Sequence, residues 1–160
     1  MIGDGTVAVR ILLAAGLGMA IGIERELRDQ WAGLRTHILV SVGACLFSLM
    51  SAIGFSTFLG GGSKAAVNAD VTRIASQVVV GIGFIGGGTI LRQGANVRGL
   101  TTAATLWVTA AIGLAVAAGA YLAAVVTTAV AVVTLAGLKP FERWIGRFGK
   151  RGARRAEEEA

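Results

Sequence analysis

Residues 99–138 read GLTTAATLWVTAAIGLAVAAGAYLAAVVTTAVAVVTLAGL, forty residues in a row without an aspartate, glutamate, lysine or arginine. A membrane-spanning helix needs about 20 apolar residues. One helix of this length would extend about 60 Å, roughly twice the thickness of the hydrocarbon core. The run therefore predicts two membrane helices that fold back on each other at residues 118–121.

The rest of the chain repeats this pattern, because it is 54% hydrophobic and its charged residues, 15%, are clustered. The first span contains Arg10, which we expect to reach the membrane surface, and its acidic start without a cleavage pattern indicates a retained helix rather than a signal peptide. We predict an all-α polytopic membrane helix bundle over residues 1–138. Its five spans are Gly5–Ile23, Thr36–Phe55, Ile74–Leu91, Leu100–Ala118 and Tyr121–Leu138.

The basic residues predict an orientation, since cytoplasmic loops are enriched in lysine and arginine. With the C-terminus inside, twelve of the fifteen basic residues lie on the cytoplasmic side, and only Arg10, Lys64 and Arg73 lie outside. We therefore expect the N-terminus outside and the C-terminus inside. The net charge of +6 then reflects topology, and no nucleic-acid partner is needed to explain it.

Residues 139–160 are predicted to form a separate cytoplasmic element. Phe141, Trp144, Ile145 and Phe148 share one helical face, and arginines line another. Such a basic amphipathic helix is expected to lie at the inner membrane surface against anionic lipids, with a polar tail after it.

Seven glycines lie between Gly81 and Gly99, and GIGFIG at 81–86 matches the dinucleotide fingerprint G-x-G-x-x-G. That fingerprint requires a preceding strand and a later acidic residue, whereas here it lies inside an apolar span, so we reject it. Small residues allow membrane helices to pack closely. This predicts packing roles for the G-x-x-x-G pairs Gly83–Gly87 and Gly18–Gly22. The alternative is a backbone that opens to line a cavity.

Four blocks make the chain recognisable: GMAIGIERE (18–26), GLRTH (33–37), DVTRIASQVVVGIGFIGGGTILR (70–92) and NVRGLTTAATLWVTAAIGLA (96–115). In their order and spacing these blocks resemble the MgtC/SapB family of bacterial membrane proteins. The resemblance implies a five-helix, non-enzymatic membrane domain. Some members carry a cytoplasmic ACT-like domain, which this sequence is expected to lack.

The resemblance also implies a function. Family members are linked to bacterial growth at low magnesium and to survival inside macrophages, and the best-known member resembles a modulator of the F-type ATP synthase. We carry three hypotheses. The first is a regulator that binds such a membrane partner, the second a magnesium or cation channel or transporter built as a homo-oligomer, and the third a structural membrane scaffold.

Charged residues from three loops are predicted to meet at the cytoplasmic face. They form either a partly buried ion-pair cluster or a solvated set of loop charges, and we favour the cluster. We expect Glu24 or Glu26 to pair with Arg35, Arg92 or Arg98. The full set is Glu24, Arg25, Glu26, Arg35, Arg92, Asn96 and Arg98.

Polar residues at membrane depth are costly and are therefore candidate sites. Asp70, Arg73 and Gln77 share one face of the third span, where Asp70 and Arg73 either pair at the helix start or belong to a site. Thr102, Thr105 and Thr109 either bond back to their own helix or line a polar path. Magnesium needs oxygen ligands, and the only weak candidates are Asp70, Glu24 and Glu26. The sequence thus suggests no cofactor other than Mg²⁺.

Overall fold

A computed structural model describes residues 3–58 and 72–138 of the chain. Within them the chain forms five helices and one short β-hairpin, and four of the helices are long and apolar enough to cross a membrane. This confirms the predicted all-α membrane bundle. The elements are α1 (Asp4–Glu26), α2 (Leu34–Phe58), α3 (Thr72–Gly88), β1 (Leu91–Gln93), β2 (Asn96–Arg98), α4 (Leu100–Ala117) and α5 (Tyr121–Leu138).

The third predicted span differs from the structure at its C-terminal end. Helix α3 has 17 residues and ends at Gly88, three residues before the predicted boundary at Leu91. There the amide of Thr89 donates to the carbonyl of Gly86 at 3.0 Å, and the amide of Ile90 donates to that of Gly87 at 3.1 Å. These short-range bonds tighten the last turn and end the helix, which three successive glycines already weaken.

An antiparallel hairpin connects α3 to α4, where only a short loop was predicted. Gln93 lies opposite Asn96, which leaves a two-residue turn that begins with Gly94 at φ 62°. A glycine with positive φ at this position is what a type II′ hairpin turn requires. Gly99, at φ 88°, then starts α4 so close to the carbonyl of Thr89 that a Cβ would collide with it.

Helix α2 packs against α1, α3 and α4, and glycines make two of these contacts close. A Cβ on Gly18 of α1 would lie 2.7 Å from the carbonyl oxygen of His37, and one on Gly22 would lie 2.8 Å from the Cα of Leu34. On the other side, a Cβ on Gly113 of α4 would collide with the carbonyl of Ser41. The backbones of three helices therefore touch along α2.

The two ends of the bundle are distinct. One end, called the hairpin end, carries the α1–α2 loop, the β-hairpin and the end of α5. The other, called the Tyr121 end, carries the start of α1 and the α4–α5 turn. Helix α5 packs through one face only, at Ala124, Thr128 and Leu135, and its remaining side chains are largely exposed. A protein in water rarely exposes such an apolar surface, which agrees with a lipid surround.

The glycine contacts predict that two glycine-to-alanine substitutions change stability in opposite directions. Gly113→Ala places a methyl group against the backbone of α2, so we expect α4 to move away and thermal stability in detergent to fall by about 1–3 kcal/mol. Gly83→Ala meets nothing within 4 Å and gains helix propensity, so stability should stay level or rise by up to about 1 kcal/mol. Equal losses for both variants would contradict the assigned contacts.

Candidate functional site

A buried ion-pair network lies at the hairpin end of α1. Arg25 donates from Nε to Oε2 of Glu24 at 2.6 Å, and Arg28 forms an ion pair with the other carboxylate oxygen, Oε1. The side chains of Arg25 and Glu24 are only 4% and 11% exposed. Because both carboxylate oxygens of Glu24 face guanidinium groups, its charge is compensated at short range.

Glu26 has a different role from the one expected. Its Oε2 accepts a hydrogen bond from the backbone amide of Leu34 at 2.8 Å, so it satisfies one of the free donors at the start of α2. Gly33 permits this approach, since a Cβ there would collide with the carboxylate. The acidic side chain also suits the positive end of the α2 dipole.

The partners predicted for these two glutamates are therefore different in the structure. Arg35, Arg92, Asn96 and Arg98 are exposed, and among the described residues none of the three arginines forms an ion pair. Arg92 donates instead to the carbonyl of Gly94 within its own hairpin at 3.1 Å. Arg28 was not predicted as a partner of Glu24, although their i, i+4 spacing favours a pair on one helix face.

Helix α2 continues the buried polar surface with His37 and Ser41, both fully buried. These residues are one turn apart and lie against Gly18 and Gly22 of α1. Nδ1 of His37 donates to the carbonyl of Gly33 at 2.8 Å. Within residues 3–58 and 72–138, neither Nε2 of His37 nor Oγ of Ser41 has a hydrogen-bond partner.

The three predicted threonines of α4, Thr102, Thr105 and Thr109, are buried, and two of them bond to their own helix. Oγ1 of Thr105 donates to the carbonyl of Thr102, and Oγ1 of Thr109 donates to that of Thr105, both at 2.8 Å. Of the two alternatives for this stripe, bonding back to the helix is the one that the hydroxyls of Thr105 and Thr109 adopt.

The remaining predicted polar residues are described only in part, so the predicted pairing of Asp70 with Arg73 stays a prediction. Asp70 lies outside the described residues. Arg73 is exposed at the start of α3, and Gln77 is exposed on the wall of a groove between α2 and α3.

The groove between α2 and α3 has a volume of about 560 Å³. Among the described residues, Gln77 is the only polar side chain in its lining. Gly43 and Gly81 form gaps in opposite walls, because a Cβ on either would meet nothing within 4 Å. The lining residues are Leu39, Val40, Gly43, Ala44, Phe47, Ile74, Gln77, Val78, Gly81, Ile82, Ile85 and Ala110.

A smaller cavity of about 280 Å³ separates α5 from α1 and α4. Thr105 and Thr134 are among its lining residues, and most of the lining is apolar. It shows that α5 fits loosely against the bundle beyond its one buried face.

Arg10 attaches α5 to the bundle at the Tyr121 end. Its Nη1 donates to the carbonyl of Ala117 at 2.7 Å, and its Nε donates to the hydroxyl of Tyr121 at 3.0 Å. The guanidinium carbon also lies 5.9 Å from the centre of the Tyr121 ring. The charge thus stabilises the free carbonyls at the C-terminus of α4. At the hairpin end, Arg28 donates to the carbonyl of Ala136 at 3.1 Å.

The glycines predicted to pack helices fall into two groups. Gly18 and Gly22 lie against α2, as described above. Gly83 and Gly87, in contrast, are exposed, and a Cβ on either would meet nothing within 4 Å. The glycine through which α3 approaches α4 is instead Gly86, where a Cβ would lie 3.5 Å from the Cα of Ala103.

No group of three or more histidine, cysteine or acidic side chains is positioned to hold a metal ion in the described parts of the chain. Of the weak magnesium candidates, Glu24 is paired with two arginines and Glu26 accepts from a backbone amide. Binding Mg²⁺ at either glutamate would first require breaking those interactions.

These features define a multi-pass helical membrane protein, with its described charged residues near the ends of the helices. The chain belongs to the MgtC family, whose model matches residues 11–144. The match begins within α1, covers α2 to α5 and extends into the residues after α5. No solved structure matches the chain significantly.

Several curated relatives are similar to the chain. YhiD of Escherichia coli (strain K12), whose name proposes a magnesium transporter, is 50% identical over 113 residues, which are 71% of this chain and 51% of that protein. Protein MgtC of Brucella abortus (strain 2308) is 46% identical over 124 residues, 78% of this chain and 48% of that protein. Protein MgtC of Salmonella typhimurium (strain 14028s / SGSC 2262) is 44% identical over 120 residues, 75% and 47% respectively. The chain spans about half the length of the curated relatives it matches.

The buried network predicts strong coupling between the end of α1 and the loop that follows it. Glu24→Gln leaves the buried Arg25 without its counter-charge, and breaking a buried pair costs on the order of 3–5 kcal/mol. A double-mutant cycle by thermal unfolding in detergent should give a coupling energy above about 1 kcal/mol for Glu24 with Arg28. The matched cycle of Glu24 with the exposed Arg92 should give a value near zero. A larger coupling energy for Glu24 with Arg92 than with Arg28 would support the predicted ion-pair cluster between loops.

The Arg10 contacts predict a graded loss at the Tyr121 end. Tyr121→Phe removes one hydrogen bond but keeps the ring, so we expect a loss of about 0.5–1.5 kcal/mol in unfolding free energy. Arg10→Gln removes the charge from the end of α4 as well, so its loss should be larger. If Tyr121→Phe and Arg10→Gln lower the unfolding free energy by the same amount, the hydrogen bond from Arg10 to the carbonyl of Ala117 contributes nothing to stability.

Proposed function

We propose that the chain is a non-enzymatic regulator in the bacterial inner membrane, with its N-terminus outside and its C-terminus inside. It binds a membrane partner through its helices and serves adaptation to low magnesium. The family resemblance implies the F-type ATP synthase as that partner. It also implies a link to survival inside macrophages.

The observation that carries this proposal is that the buried and half-buried charges of the bundle are compensated at its ends. Glu24 is bound by two arginines at the hairpin end, and Arg10 is bound to Ala117 and Tyr121 at the other. Between these ends, the hydroxyls of Thr105 and Thr109 bond to their own helix. Mg²⁺ gives up its hydration shell reluctantly, and the described interior offers no unpaired carboxylate to replace it.

A second observation supports binding to another helix. Ser76, Val80, Gly83 and Gly87 follow one another at i, i+4, i+7 and i+11, so they share one face of α3, and all four are exposed. The absence of neighbours within 4 Å of Gly83 and Gly87 leaves room for another backbone to approach. Close approach over small residues is how membrane helices associate. We call these four residues the small-residue face of α3.

Magnesium transport by a homo-oligomer is the second candidate function. The name of the E. coli relative favours it, and a pore shared between copies would not need a polar path within one bundle. The small-residue face would then join copies of this chain. A purely structural scaffold is the remaining candidate.

A flux assay separates regulation from transport. The purified chain in proteoliposomes should give no more Mg²⁺ uptake than protein-free vesicles. In inverted bacterial membranes, the added chain should lower ATP-driven proton pumping. Uptake that depends on the chain would establish the transport alternative, and unchanged pumping would remove the ATP synthase as the partner.

The small-residue face predicts a loss of function without a loss of stability. Gly87→Leu should abolish rescue of growth at low magnesium in a bacterial host whose own MgtC-family gene is deleted. Its melting temperature should stay close to that of the original chain, because a Cβ at Gly87 would meet nothing within 4 Å. The matched control is Gly16→Leu on an exposed position of α1, which also has no neighbour within 4 Å. Equal rescue by both variants would refute the role of this face.

A further inference from the structure

We propose that the groove between α2 and α3 is a binding site for an anionic phospholipid. One acyl chain fills the groove, and the phosphate of the headgroup lies at the hairpin end, between Arg35 and Arg92. The site shares no residue with the C-terminal segment 139–160, for which lipid contact was predicted.

The shape of the groove follows from two missing side chains. Gly43 in α2 and Gly81 in α3 leave the space between the walls empty, since a Cβ on either would meet nothing within 4 Å. The resulting volume of about 560 Å³ falls within the range of about 300–1,000 Å³ that ligand sites occupy. With Gln77 as the only polar side chain among its described lining residues, the groove requires an apolar occupant.

The arginines at the hairpin end indicate that the headgroup of the ligand is anionic. Arg35 lies four residues before the lining residue Leu39 on α2, so the two side chains share one side of the helix. Arg92 lies in the hairpin that continues from α3, the other wall. Both arginines are exposed, and neither has a carboxylate partner among the described residues. Basic pockets between membrane helices bind anionic headgroups.

The carboxylates of this end do not compete for the two arginines. Glu24 is held by Arg25 and Arg28, and Glu26 is held by the amide of Leu34. A phospholipid supplies both missing partners at once, a chain for the groove and a phosphate for the arginines. An apolar helix from another protein, without an acidic residue at its end, would fill the groove but leave both charges unpaired, which is why we favour the lipid.

Native mass spectrometry of the full chain in detergent tests this site. The chain is titrated with dioleoylphosphatidylglycerol, with dioleoylphosphatidylcholine, which has the same acyl chains, and with glycerol 3-phosphate, which has none. A basic residue near anionic lipid contributes about 1 kcal/mol, which corresponds to a preference of about fivefold. We expect at least that preference for phosphatidylglycerol over phosphatidylcholine, and no retained adduct with glycerol 3-phosphate.

Two pairs of variants locate the headgroup and the chain. Arg35→Gln should reduce the phosphatidylglycerol preference about fivefold, whereas Arg73→Gln, at the opposite end of α3, should leave it unchanged. Gly81→Leu fills the groove and should remove the bound lipid, whereas Gly83→Leu, on the opposite side of the same helix, should retain it. If Gly81→Leu does not fold, Gly43→Leu fills the same space from α2.

Several results would overturn the proposal. Equal binding of the two phospholipids to the original chain would mean that no charged headgroup site exists. Loss of preference in Arg73→Gln instead of Arg35→Gln would place the headgroup at the other end. Lipid retained by the groove-filling variants would mean that the acyl chain does not lie in the groove. An adduct with glycerol 3-phosphate as strong as that with the lipid would show that the groove takes no part in binding.

Discussion

The close contact of the α2 backbone with the backbones of α1 and α4 is the constraint on which the rest of the bundle depends. Gly18 and Gly22 bring α1 against α2, and Gly113 brings α4 against it from the other side. In a membrane, apolar side chains gain little by leaving lipid, so helices are held by close van der Waals contact. A methyl group at any of these three positions would separate backbones that now touch.

This close contact also buries polar groups that would be costly in lipid. Glu24, Arg25, His37 and Ser41 are buried on the helices that these glycines join. The carboxylate of Glu24 is satisfied within α1 and the loop that follows it, and the Nδ1 proton of His37 is bonded at the start of α2. Apart from Nε2 of His37 and Oγ of Ser41, which have no hydrogen-bond partner among the described residues, the polar interior is assembled from local pairs, and close packing seals it from lipid.

The sequence predicted the number and approximate limits of the helices because an apolar stretch of sufficient length has few other options in a membrane. It predicted the end of α3 less well, since the glycines, Thr89 and the hairpin that end it are as compatible with a continuing apolar span. A G-x-x-x-G pair carries no information about which way it faces. Gly18–Gly22 and Gly83–Gly87 look alike in sequence, yet one pair faces α2 and the other faces outward.

The sequence also carries too little information about distance to predict which residues form ion pairs. Charges from separate loops were expected to combine because they reach one membrane face, but sharing a face sets no distance between them. A guanidinium one residue or one turn away reaches Glu24 with less loss of chain entropy than one on another loop. Arg35, Arg92 and Arg98 are thereby left exposed. The prediction identified the correct end of the bundle for charge but not the use of each residue.

The density of glycine in α3 can be understood from the directions in which its residues face. Gly86 contacts Ala103, Gly81 opens the groove toward α2, and Gly83 and Gly87 lie on the outward small-residue face. Each glycine destabilises the helix by about 1 kcal/mol relative to alanine. Among these four, only Gly86 makes a packing contact within the described chain. The other three stabilise nothing inside the bundle. On two surfaces of α3, glycines lower the stability of the helix without making a packing contact inside the bundle. Helix α3 is therefore the element best suited to contact molecules outside the chain. The groove and the small-residue face are the two places where it can do so.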